Sequence, residues 1–255
     1  VRMNHMISLA KLDSLSDPQM VNELKTQLTN ATSPAPSVET ILHAILPFKY
    51  VDHTHSDAVV TVTNTLEGED RIRKIYGERV VIIPYVMPGF DLAKDVARIF
   101  LEQSTDKTEG MILMNHGIFS FGDSAKESYD RMISLVNEAE NYLINQNAWD
   151  IEKLGGNFEQ KDIRNQVAEL RQKISLSIGR PVLMHLTNSL LGFNFCNKED
   201  VKKIATKGPL TPDHVIRTKR IPMIGRDINK YNEENVSYFN KNEIKAKARK
   251  TMLDS

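Results

Sequence analysis

Glu39, His53, His55 and His116 are the residues of this chain whose types and spacing could do chemistry together. In an extended segment, residues two apart project from one face, so Asp52-His53-Thr54-His55 presents two imidazoles side by side. A third imidazole in Asn115-His116-Gly117 and the Glu39 carboxylate add donors of the kind Zn²⁺ takes. Three protein ligands with a fourth position left open are what a catalytic zinc site requires. Alone, His-x-His reads more readily as two strand-end histidines bonded to backbone. Glu39 alone reads as an ordinary first-turn carboxylate favoured by a helix dipole.

The elements that must position these groups can be read from the pattern around them. Ser16-Asp17-Pro18 starts a helix with Met20, Val21, Leu24 and Leu28 at helical spacing. Residues 31–36 form a proline-rich linker, and Ser37 caps a helix through Val38, Ile41, Leu42, Ile45 and Leu46. That places Glu39 in the first turn, with His43 beside it one turn on, a helix-face residue or supporting partner rather than a ligand. Residues 48–51 lead as a strand into the histidine pair. Residues 58–63 are β-branched and strand-like by propensity, although Ser56-Asp57 would equally cap a helix. Residues 80–83 and 111–114 read as buried strands, the second delivering His116 at its end. Helices are expected from Asp91, from Ser124 to about Asn145, and near 161–177. Further on, 181–186 and 191–196 read as strands, 198–206 as a short helix, 208–214 as a rigid loop, and 229–252 as a polar, helix-prone tail. Lys241 to Lys250 reads as a solvated face, and Asp213-His214 as loop packing rather than a catalytic pair.

Composition narrows the function classes. The 255 residues are 40% hydrophobic and 26% charged, with Lys+Arg 33 balancing Asp+Glu 33. Nothing global therefore points to nucleic acid or an anionic membrane as partner. The single cysteine, Cys196, excludes an internal disulfide framework and a cysteine-based metal site, and reads as core. No apolar run approaches the roughly 18 residues of a membrane span, and no signal-peptide pattern opens the chain. The expectation is a soluble, cytoplasmic protein.

The runs Pro-Ser-Val-Glu (36–39), His-Thr-His-Ser-Asp-Ala (53–58) and Asn-His-Gly-Ile (115–118) together resemble the class II aldolase/adducin family. More narrowly, Gly-Pro-Leu-Thr-Pro-Asp-His (208–214) with Ile-Arg-Thr-Lys (216–219) looks like the aldolase half of bifunctional rhamnulose-1-phosphate aldolase/lactaldehyde dehydrogenases. The resemblance implies an α/β fold, three layers α/β/α around a central mixed, largely antiparallel sheet. It implies residues 1–228 as the aldolase-like domain and 229–255 as a helical tail or linker toward a dehydrogenase domain. It further implies Zn²⁺ held by His53, His55 and His116, with Glu39 as a ligand or neighbour that shuttles the proton. The activity implied is retro-aldol cleavage of a ketose 1-phosphate, rhamnulose-like, to dihydroxyacetone phosphate and an aldehyde. The family's N-terminal Gly-Asn-x-Ser phosphate segment does not occur before Ser37, and Val38 stands where the family has its second serine. Ser37 is left as the candidate substrate contact; the family's acid tyrosine is not carried over, since Tyr76 and Tyr85 both lie in its region and spacing does not choose between them. The partners implied are a small sugar phosphate and further copies of the chain, as a homo-oligomer, usually a tetramer. An epimerase or decarboxylase on the same scaffold, or a non-catalytic adducin-like scaffold, are the alternatives.

Overall fold

A computed structural model describes residues 1–150, 163–187 and 189–246. The chain separates into two compact units, Val1–Ala148 and Trp149–Ser255. The boundary drawn from the sequence, at 228/229, falls elsewhere, at the start of the last helix of the second unit.

In the first unit the elements run α1 (Met3–Leu9), α2 (Asp17–Thr26), α3 (Thr40–Ile45), β1 (Tyr50–Thr54), α4 (Asp57–Thr63), α5 (Gly68–Tyr76), a single 3₁₀ turn (Gly77–Arg79), β2 (Val80–Ile83), α6 (Phe90–Gln103), β3 (Gly110–Leu113), β4 (Gly117–Gly122) and α7 (Ala125–Asn145). The sheet order is β1-β4-β3-β2, antiparallel except for the β2–β3 pair. Because β4 runs against both neighbours, β1, β2 and β3 all point the same way. Their carboxyl ends gather on one edge, where ligands bind in open α/β sheets.

Strand alternation builds a core on each face of the sheet. Val81, Ile83, Met111, Leu113, Phe119 and Phe121 point to one side, against α1, α2, α3 and α6. Val80, Ile82, Ile112 and Ile118 point to the other, against α4, α5 and α7. The result is the expected three-layer α/β/α arrangement with a mixed, largely antiparallel sheet. Residues 57–63 resolve as helix despite their β-branched composition. Ala58, Val59, Val60 and Val62 are buried in it, so packing overrides propensity. The helix after the proline linker starts later than its pattern predicts, at Thr40, and Glu39 becomes its N-cap residue.

The second unit holds α8 (Arg164–Ile178), α9 (Leu190–Cys196), α10 (Val201–Ala205), α11 (Pro212–Arg217) and α12 (Ile228–Ala246). Several expectations are corrected here. Residues 181–186 form no regular structure, and 191–196 lie in α9, whose cap Ser189 accepts the Gly192 N–H. A short apolar run does not by itself distinguish strand from helix. The loop at 208–214 becomes helical from Pro212, with Thr211 accepting from the His214 N–H. Cys196 is exposed rather than core. The expected tail helix forms as α12; its continuation beyond 246 and the start of the 161–177 helix lie outside the described residues. Tyr231 anchors α12 by donating to the Ile221 carbonyl at 2.5 Å. Among the described residues no helix is long and apolar enough to cross a membrane.

Candidate metal centre

His53 lies near the end of β1, paired opposite Phe119 of β4, and His55 follows one residue after the strand. His116 sits in the turn between β3 and β4, and Glu39 at the start of α3. These four residues, distant in sequence, meet at the carboxyl edge of the sheet. One donor atom from each lies within 4.8 Å of every other. The Glu39 Oε1 atom is 2.8 Å from His116 Nε2, 3.6 Å from His53 Nε2 and 3.7 Å from His55 Nε2. His53 Nε2 and His55 Nε2 are 3.1 Å apart. A tetrahedral ion with bonds of about 2.0–2.1 Å sets its donors roughly 3.3 Å from one another. The spacing and the donor types fit such an ion.

Local sequence explains the convergence. His53 Nδ1 lies 2.9 Å from the Ile118 carbonyl. A carbonyl only accepts, so Nδ1 carries the proton and Nε2 presents its lone pair toward the cluster. The ring is further fixed by stacking on Phe119, centroids 4.1 Å apart. Asn115 turns the chain out of β3 with φ of 58°, a left-handed conformation Asn tolerates better than most residues. Its side-chain amide donates to the Thr63 carbonyl at 3.3 Å, bracing the turn against α4. Gly117 then lets the backbone pass beneath the site: a Cβ there would meet the Thr54 carbonyl oxygen at 2.6 Å and the rings of His53 and His55 at 3.0 Å.

The cluster is largely withdrawn from water, His116 being 1% exposed. Burial works against the charge of Glu39. The hydrogen bond with His116, with the imidazoles of His53 and His55 close by, outweighs it and holds the carboxyl well below the usual carboxylate range. An ionised carboxylate only accepts, so the His116–Glu39 contact places a proton on His116 Nε2, and a bound cation would displace that proton. His43, one turn after Glu39, is pushed below the ordinary histidine value chiefly by burial.

Ser37 turns toward Glu39, accepting from its backbone N–H and donating to Oε2, each at 3.2 Å. The two tyrosines separate clearly. Tyr76 is a core residue whose hydroxyl donates to the Leu135 carbonyl at 2.8 Å, and burial pushes its pKa up. Tyr85 is half exposed and follows the carboxyl end of β2 on the edge that carries the cluster. Sequence reasoning did not find the supporting parts: the Ile118 carbonyl, the Phe119 ring and the clearance at Gly117. The Asn-His-Gly string was their one visible signal, since Asn and Gly bracketing a histidine mark a tight turn.

Comparison with known proteins places the chain in a family. Residues 7–143 match the class II aldolase and adducin N-terminal domain, and residues 161–255 match an aldolase class II second domain. The N-terminal class II aldolase domain of a conserved protein from Thermoplasma acidophilum is 45% identical, covering 56% of this chain and 65% of that one, with a TM-score of 0.51. A Bacillus subtilis (strain 168) protein described as the uncharacterized oxidoreductase YuxG is 32% identical over 232 residues, 88% of this chain. The chain spans only about a third of that relative's length (33%). Class II aldolases depend on a metal, and the three histidines and glutamate could hold one. On the match across more than half its length and on the cluster at its sheet edge, this chain belongs to the class II aldolase and adducin family.

Proposed function

We propose that the chain is the zinc-dependent aldolase portion of a larger enzyme and cleaves a ketose 1-phosphate, rhamnulose-like, to dihydroxyacetone phosphate and an aldehyde. The observation that carries this reading is the convergence of Glu39, His53, His55 and His116 within 4.8 Å. In the proposal the three imidazoles hold the ion, and Glu39 holds it or stands beside it. The metal, when bound, supplies positive charge against which negative charge developing on a substrate oxygen is stabilised. Glu39, kept ionised by its neighbours, is in the form that accepts a proton from a substrate carbon and returns it. Ser37 orients that carboxylate and is the proposed substrate contact. Tyr85, half exposed just after β2, is the proposed acid, whereas Tyr76 is committed to the core. The near-complete burial of His116 keeps water from one side of the site.

Two further elements belong to the proposal. The longer relative is described as an oxidoreductase, which fits an aldolase part joined to a dehydrogenase part acting on the aldehyde. A homo-oligomer, tetrameric as is usual in the family, is the proposed assembly in the cytoplasm, and sedimentation would measure it. The decisive experiment combines elemental analysis of protein purified without chelator with a retro-aldol assay on rhamnulose 1-phosphate. About one zinc per chain and release of dihydroxyacetone phosphate support the reading. Absence of metal after zinc is offered overturns it. Metal without cleavage leaves an epimerase, decarboxylase or binding role on the same scaffold.

A further inference from the structure

We propose that Asn115 is a positioning residue for the metal centre, its side-chain amide setting the separation of His55 and His116 by tying the β3–β4 turn to the far end of α4. The inference rests on the metal-site reading above. The β1–β4 ladder brings both histidines to the sheet edge but ends at the pair Thr54–Ile118. His55 lies one residue past that pair and His116 two residues past it on the other strand, so the ladder holds them from one side only. His53 is aimed by its own Nδ1 bond to the Ile118 carbonyl. His116 Nδ1, in contrast, is buried with no hydrogen-bond partner, so apart from the contact with Glu39 the turn itself must aim this ring. The second tie comes from α4. The chain leaving His55 passes at once into that helix, the Val60 N–H donating to the Ser56 carbonyl at 2.9 Å, and Ala58, Val59 and Val62 fix the helix in the core. Where α4 ends, the Asn115 amide donates to two acceptors, the Thr63 carbonyl at 3.3 Å and Asn64 Oδ1 at 2.5 Å. The path from His55 through α4 to Asn115 and His116 is thereby closed by side-chain bonds. Asparagine meets both demands of the position, since it tolerates the left-handed φ of 58° and carries two amide N–H donors.

The test compares wild type with Asn115→Gly, which keeps the left-handed backbone of the turn but removes the amide, and with Asn64→Ala, which removes one acceptor from the other side of the bond. Co²⁺ affinity is measured by chelator competition, and the visible absorption of the Co²⁺-loaded proteins is recorded beside it. The expected result is binding about tenfold weaker in N115G, the lower end of what losing a ligand-orienting residue costs, with a shifted visible spectrum and a cooperative unfolding transition retained without metal. Asn64→Ala is expected to weaken binding on its own and to add nothing in the N115G background, because two residues acting through one bond do not contribute twice. Equal affinity and an unchanged spectrum in N115G would overturn the proposal, as would losses that simply multiply in the double variant. Should N115G lose its cooperative transition, Asn64→Ala decides instead: weaker binding with a shifted spectrum supports the positioning role, and binding equal to wild type sinks it. A wild-type protein that binds no Co²⁺ at all would remove the metal-site reading itself, a failure distinct from equal binding by the variants.

Discussion

Glu39 and Gly117 show how much of the site depends on single atoms. Glu39 is held ionised by histidine contacts, so its folded-state pKa lies below the unfolded value of 4.5. A group with a depressed pKa contributes stability that is fully present above the unfolded value and is lost as pH falls toward the folded one. Metal-free wild type is therefore expected to lose more stability than Glu39→Gln between about pH 6 and about pH 3.5. Urea midpoints of both proteins at the two pH values check this, and parallel loss would refute it. The same substitution should lower metal content, measured by elemental analysis, because an amide is a poor ligand for a cation. At Gly117 the obstacle to a side chain is backbone, the Thr54 carbonyl at 2.6 Å, which cannot swing aside. Gly117→Ala is expected to destabilise by about 1–3 kcal/mol and to weaken metal binding by displacing both rings. A variant as stable and as metal-replete as wild type would show that the turn relaxes freely. At this scale the sequence was informative: all four clustered residues could be named from type and spacing together with the family resemblance of the runs that hold them. Their supports could not, because a backbone carbonyl and a stacking distance leave no trace in residue identity.

Elements were legible where period and caps agreed. The Ser16-Asp17-Pro18 start of α2, the buried strands β2 and β3 and the long helix α7 all appear as their patterns imply. Ser124 caps α7, accepting from the Glu127 N–H at 3.2 Å, and α7 packs across the sheet face under β4. Replacing Ser124 with alanine is expected to cost about 1 kcal/mol in chemical denaturation while leaving metal content unchanged, since no ligand lies on that helix. Loss of metal in this variant would show that α7 positions the site directly. Legibility failed where short apolar runs lacked a decisive period. Residues 191–196 carry Leu191, Phe193 and Phe195 in strand-like alternation, yet the Ser189 cap and local bonding give helix. Residues 58–63 went the same way because burying Val59 and Val62 against α5 and α7 outweighs the small helix penalty of valine.

For the whole molecule, fold class and layer order were legible through the family resemblance that the motif runs carry, and no composition shift marks the division into units near residue 148. All four clustered residues, both layers that flank the sheet and both core clusters belong to the first unit. A fragment of residues 1–148 is therefore expected to fold cooperatively and bind metal at close to the full-length stoichiometry. Calorimetry and elemental analysis of the fragment test this, and an unfolded or metal-free fragment would show that the second unit is required. The origin of the four residues has a kinetic consequence. His53, His55 and His116 sit on or beside two strands held in register by the β1–β4 ladder, whereas Glu39 comes from a separate short helix. Three donors are thus fixed relative to one another by one ladder, while the place of the fourth depends on how α3 packs against the core. Ion exchange should be governed by excursions of α3: loosening that helix would raise the dissociation rate far more than it lowers the association rate, making residence time, rather than capture, the quantity this architecture controls.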